Sequence, residues 1–255
     1  MVLHDITDYC SWLARIDDMN IFRDIGRSIF AATGNQESVI EGFGNPGVGK
    51  SFICAGFQNT YKDEYGAISY HSIDDYHVNF IVRTFCKILL ILKNLFFSSG
   101  IVKANFMLIN SFDNIKGAIK LKLLFNLLLV SSVIVSRRSH YKPLLLDQGI
   151  FQAIWSCYYY NQGVESAASS IQLISLIDRL LDEMQLTNLV IFDVSSDKSM
   201  ILSRLTNRQI KGSSPLNSLE GWAIHRGMDA TTATRNLILK MAQKSDRIKV
   251  FDVKN

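Results

Sequence analysis

The chain has 255 residues, a formal net charge of +4, 48% hydrophobic and 20% charged residues. That length and balance describe a globular chain with a sizeable buried core, and three prolines leave no room for long Pro-rich linkers. The four cysteines, Cys10, Cys54, Cys86 and Cys157, stand far apart without metal-ligand spacing. They argue against a disulfide framework or structural zinc and for free thiols in a reducing, cytoplasmic setting.

The opening stretch MVLHDITDYCSWL lacks a basic segment leading into a continuous apolar run, so no signal peptide is expected. Apolar residues at Ile6, Tyr9, Trp12, Leu13 and Ile16, then Ile21, Phe22, Ile25, Ile29 and Phe30, recur at helical spacing. They predict an N-terminal helical extension over residues 1–35, packed on the domain that occupies 36–255.

Ser38 to Phe43 (SVIEGF) reads as the first strand and Phe52 to Asn59 as the start of a helix. Between them lies Gly44-Asn45-Pro46-Gly47-Val48-Gly49-Lys50-Ser51, which fits G-x-x-x-x-G-K-[ST]. Glycines let backbone N–H groups approach phosphate oxygens without Cβ clashes, and the following helix adds its positive end. Lys50 can reach the β- and γ-phosphates, and the Ser51 hydroxyl can ligate Mg²⁺. All eight residues are expected to hold ATP.

Ala67 to Ile73 (AISYHSI) reads as a second strand ending at Asp74-Asp75. Ligands sit at the carboxyl ends of strands in open α/β sheets. Asp74 is therefore a candidate for Mg²⁺ contact or for deprotonating a substrate hydroxyl, with a helix N-cap as the other reading.

Residues 78–143 form a basic helical insertion. From Ile81 to Pro143 there are ten Lys and Arg against the single acid Asp113, a net of +9. The rest of the chain must then carry −5 for the total to be +4. The runs KILLILKNLFF (87–97) and LKLLFNLLLVSSVIV (121–135) are read as buried or amphipathic helices. Contact with an anionic membrane surface is the alternative.

LLLDQG (144–149) is a short apolar run ending in Asp, the way a core strand presents a Mg²⁺-side carboxylate. Asp147 is assigned that role, with capping of the next helix (151–159) as the other reading. An amphipathic helix follows over 171–184, then a strand at 189–194 and a helix from 197 to 208. That helix carries Arg204 and Arg208 on one face. A polar loop, a helix over 231–244 and a strand at 248–253 complete the pattern. Strands alternating with helices predict an α/β fold with a parallel sheet of about five strands and helices on both faces.

On these residues the chain resembles P-loop nucleoside and nucleotide kinases of the thymidylate-kinase-like branch, over roughly 36–255. Ile40-Glu41-Gly42 before the loop is similar to their first strand. Phe192-Asp193-Val194-Ser195 with Arg204, Leu205 and Arg208 resembles their strand, helix and lid. The resemblance implies a three-layer P-loop kinase fold, and catalytic roles for Lys50, Asp147, Arg204, Arg208 and Asp74. It also implies ATP and Mg²⁺, the metal held by Ser51 and Asp147. Gln148 stands where the family commonly has an Arg that grips substrate, and Arg137, Arg138 and Lys142 are candidates to replace it.

The expected activity is γ-phosphoryl transfer to a hydroxyl or phosphate on a small-molecule acceptor, a nucleoside or nucleotide among them. A regulatory ATPase is the second reading, although no N-K-x-D motif is present and Gln148, not Glu, follows Asp147. A membrane-surface kinase acting on a cell-envelope precursor is the third. No nucleic-acid partner is expected; a homodimer is kept open.

Overall fold

A run such as LVIFDV is apolar on both faces except for Asp193, so it is satisfied only inside a sheet covered on both sides. The computed structural model describes residues 38–65, 68–71, 99–137, 143–161, 169–210 and 221–254. It adds helical positions at 23, 26–27, 88–89 and 91–92. Apart from residues 23, 26 and 27, the expected extension over 1–35 lies outside the described residues, as does Asp74.

The strands are β1 (Val39–Phe43), β2 (Ser69–His71), β3 (Leu144–Leu146), β4 (Leu189–Ser195) and β5 (Ile248–Lys254). They lie in the order β2-β3-β1-β4-β5, and every pairing is parallel. The helices are α1 (Lys50–Tyr65), α2 (Ser99–Asn110), α3 (Gly117–Arg137), α4 (Ile150–Tyr160), α5 (Ser170–Glu183), α6 (Lys198–Ile210) and α7 (Gly221–Lys244). The fold is α/β with an all-parallel sheet, as the alternating pattern predicts.

Strand side chains alternate between two cores. Val39, Phe43, Leu144, Leu146, Leu189 and Ile191 face one core, which α2 to α5 and α7 complete. Ile40, Leu145, Val190 and Phe192 face the other, beneath α1 and α6. Helix α1 is held there by Ile53, Cys54, Phe57 and Tyr61, spaced to form a single stripe. The Phe57 ring meets Phe192 edge-on at 4.9 Å between centroids. Phe57→Ala would cost about 3–5 kcal/mol at such a site.

The described part of the basic segment is a helical hairpin. Helix α2 packs on α3 and α5, and α3 packs on α4. Buried Asn105 donates to the Ile101 carbonyl at 2.9 Å and to Ser131 Oγ at 3.1 Å, which pins the two helices in register. The turn between them is tied to the end of α4, where the Asn114 N–H meets Asn161 Oδ1 at 3.1 Å. Helix α3 outruns the apolar stretch read from sequence, extending back to Gly117 and on to Arg137. It is the one helix among the described residues that is long and apolar enough to cross a membrane, and 44% of its most apolar window is buried in the protein. Helix α7 begins ten residues earlier than the spacing of 231–244 predicts.

Because β1 leads to α1 on one face and the neighbouring β3 leads to α4 on the other, the chain diverges between them. This is the switch point where open parallel sheets form a crevice.

Candidate functional site

The crevice is built from the glycine loop 44–51 and the turn after β3. Gly44, Gly47 and Gly49 have φ of 142°, 89° and 94°, values that favour glycine. A Cβ at Gly44 would also collide with the Val194 carbonyl oxygen. Lys50 Nζ donates to the carbonyls of Gly44 at 2.8 Å and Asn45 at 3.0 Å. Its ammonium group is thereby held beside the first residues of the loop. The Val48 N–H donates to the Asn45 carbonyl at 3.3 Å, and the Ile53 N–H to the Gly49 carbonyl at 3.0 Å, starting α1.

Ser51 and Asp147 are far apart in sequence, yet Ser51 Oγ donates to Asp147 Oδ2 at 3.3 Å. Asp147 is 2% exposed. The N-cap of α4 is Gly149, which makes no side-chain cap bond. That position is served from β1. Glu41, fully buried, accepts the Gln152 N–H at 2.9 Å through Oε1. Burial raises the Glu41 pKa to about 7, against the pull of the N–H groups of Gln152, Phe151, Ile150 and Gly149. Cys54, beside this strand, is a free thiol whose pKa burial raises strongly, with the Asp147 charge adding to the effect.

A hydroxyl and a carboxylate 3.3 Å apart fit two adjacent positions of an octahedral Mg²⁺ shell, whose neighbouring oxygens are roughly 2.9 Å apart for metal–oxygen bonds of about 2.1 Å. Among the described residues, no cluster of three or more His, Cys, Asp or Glu offers an all-protein metal cage. Mg²⁺ bound through one or two protein oxygens needs none.

Arg204 Nη1 donates to the Gly47 and Val48 carbonyls at 3.3 and 3.0 Å, bracing the loop from α6. Arg208 lies one turn further along α6, and its side chain is outside the described ones. The structure thus gathers the glycine loop, Lys50, Ser51, Asp147 and Arg204. Of the proposed anion grip, Arg137 ends α3, while Arg138 and Lys142 lie outside the described residues. Comparisons with protein-family models, with curated proteins and with solved structures gave no match.

Several contributors escaped the sequence reading. Thr231 of α7 donates to Asn45 Oδ1 or to the Gly227 carbonyl and accepts the Trp155 indole N–H at 2.8 Å. The loop tip is thereby tied to α4 and α7. Asp193, in the C-terminal half of β4 and paired in register with Phe43, is held bidentately by Arg235 of α7. The run FDV carried a hint in its Asp; the Arg and Thr partners had none, because only tertiary packing brings α7 there.

Proposed function

We propose that this protein is an ATP-dependent phosphotransferase with a three-layer P-loop kinase fold and a sheet of about five strands. The strand order β2-β3-β1-β4-β5 and the glycine loop between β1 and α1 support that reading. The observation that carries it is the approach of Ser51 to Asp147 at 3.3 Å, beside a loop whose Lys50 is already turned towards Gly44 and Asn45.

Loop N–H groups and Lys50 hold the polyphosphate of ATP. Ser51 and Asp147 are the residues that would hold Mg²⁺, which would supply positive charge to offset that of the phosphates. An acceptor oxygen attacks the γ-phosphorus. The new O–P bond forms as the bridging bond to ADP breaks, and the electron pair leaves with ADP. Where the acceptor is an alcohol, its proton passes to a carboxylate, Asp147 or Asp74. Arg204 keeps the loop in shape, and Arg208 is the lid cation. Positioning and fixed charges supply the rate enhancement.

Titration with a fluorescent N-methylanthraniloyl ATP and Mg²⁺ tests this. Wild-type protein should bind it saturably, and Lys50→Ala should lose at least about two orders of magnitude in affinity, or about 2.7 kcal/mol. Equal affinity in the two proteins would sink the loop assignment.

A membrane-surface form of the same kinase has its own support. Phe106, Ile119 and Leu121 are exposed at 54%, 45% and 68% on the α2–α3 hairpin, among Lys103, Lys116, Lys120 and Lys122. Co-sedimentation with anionic vesicles at low and high salt tests it; absence of binding at low salt removes it.

A further inference from the structure

A shallow, solvent-open cleft adjoins the glycine loop. Asn45 and Pro46 of the loop form one side, Ile201 and Leu205 of α6 another, and Trp155 and Gly227 a third. Its lining is mainly apolar, and none of the described residues that line it is Lys, Arg, Asp or Glu. The Trp155 indole N–H is committed to Thr231 and the Gly227 carbonyl, and its ring stacks on Tyr159 at 5.3 Å between centroids.

The cleft meets the loop at a defined end. Lys50 Nζ, the group that reaches the β- and γ-phosphates in such loops, lies on the Gly44 and Asn45 carbonyls. Asn45 and Pro46 are therefore at the terminal-phosphate end of the loop. A molecule in the cleft faces the phosphoryl group that is transferred, not the base of the donor.

We infer that this cleft binds the acceptor, and that the acceptor is an uncharged alcohol with a largely apolar, ring-sized body. The inference rests on the phosphotransferase reading and narrows it. Among the described residues that line the cleft, the two negative charges of a phosphorylated acceptor would meet no cationic partner, and burying them unpaired is costly. An apolar body gains by leaving water, and Asn45 offers a polar contact near the loop.

The test uses 2-(1-naphthyl)ethanol as probe, with thymidine monophosphate and glucose 6-phosphate as charged comparators. Binding is followed by saturation-transfer NMR in the presence of Mg²⁺ and a non-hydrolysable ATP analogue. Gly227→Leu and Ala223→Leu fill the cleft from α7. A Cβ at Gly227 meets only the Trp155 ring, at 3.7 Å, an ordinary contact, so the helix backbone accepts a side chain at that position. The fluorescent ATP is titrated in parallel. The expected result is saturable binding of the naphthyl alcohol by wild type, a loss of at least about tenfold in both variants, and unchanged affinity for the fluorescent ATP.

If the nucleotide binds and the naphthyl alcohol does not, this inference falls and the phosphotransferase reading stands. It also falls if both filled variants bind the alcohol as wild type does, or if thymidine monophosphate or glucose 6-phosphate binds and both variants abolish that binding. If wild type binds no nucleotide, the phosphotransferase reading falls and takes the acceptor role with it.

Discussion

The Glu41 carboxyl group lies against Gly149 so closely that a Cβ at position 149 would overlap it. Glycine is required there for space, not for backbone freedom, since its φ is −117°. Gly149→Ala must push apart β1 and the first turn of α4, where Asp147 is anchored two residues earlier. We expect a loss of about 1–3 kcal/mol, the usual cost of overpacking a tight interior, read from urea unfolding. An unchanged midpoint would show that the turn gives way freely.

Glu41 also predicts a pH dependence. Its pKa rises from 4.5 to about 7 on folding, so between those values the folded state binds more proton than the unfolded one. Stability from this group is greatest below about pH 4.5, falls as pH rises towards 7, and is flat above that. The full span is about 3 kcal/mol. Glu41→Gln should lack that slope, so the stability difference between the two proteins should change between about pH 5 and about pH 8. A constant difference across that range would contradict it.

The Ser51–Asp147 pair predicts how nucleotide affinity depends on metal. In wild type, Mg²⁺ should tighten binding of the fluorescent ATP by about tenfold over a chelated sample. Ser51→Ala and Asp147→Asn should each flatten that ratio while leaving metal-free binding little changed. A ratio that survives Asp147→Asn would place the metal elsewhere.

Arg204 and Arg208 should separate cleanly. Arg204→Ala removes two bonds to loop carbonyls. It should cost about 1 kcal/mol of stability, discounted for partial exposure, and weaken nucleotide binding. Arg208→Ala should leave binding near wild type and depress turnover once an acceptor is found. Equal effects of both on binding alone would make them a common brace and not a brace and a lid.

The parts of the site that could be read in the sequence are those whose physics is local. Positive φ at Gly44 and Gly49 is what G-x-x-x-x-G demands, and an apolar run ending in Asp announced Asp147. Glu41 looked like part of a strand because its partner, the N-terminus of α4, is more than a hundred residues away. Arg204 was read as a lid cation; its two bonds to the loop carbonyls depend on how α6 packs on the loop, which no local pattern carries. The first ten residues of α7 were missed because their stripe is sparse. Ala223 and Ala230 are buried, but Gly227 and polar residues interrupt the apolar spacing. There, packing on Trp155 and Asn45 does what periodicity did not advertise.

The position of β1 has a consequence for how the chain reaches this state. It is the first described strand to be synthesised, all five of its residues are buried, and its two neighbours are β3 and β4, at 144–146 and 189–195. As the polypeptide leaves the ribosome, β1 has both edges unpaired until those later segments arrive. Long-range parallel pairing of this kind is slow to nucleate, and bare strand edges are sticky. The glycine loop is thus translated early but acquires its carboxylate partner only after about a hundred more residues, on the order of 5–20 s at typical elongation rates. Chaperone demand and sensitivity to translation speed should therefore concentrate between the synthesis of β1 and the docking of β4.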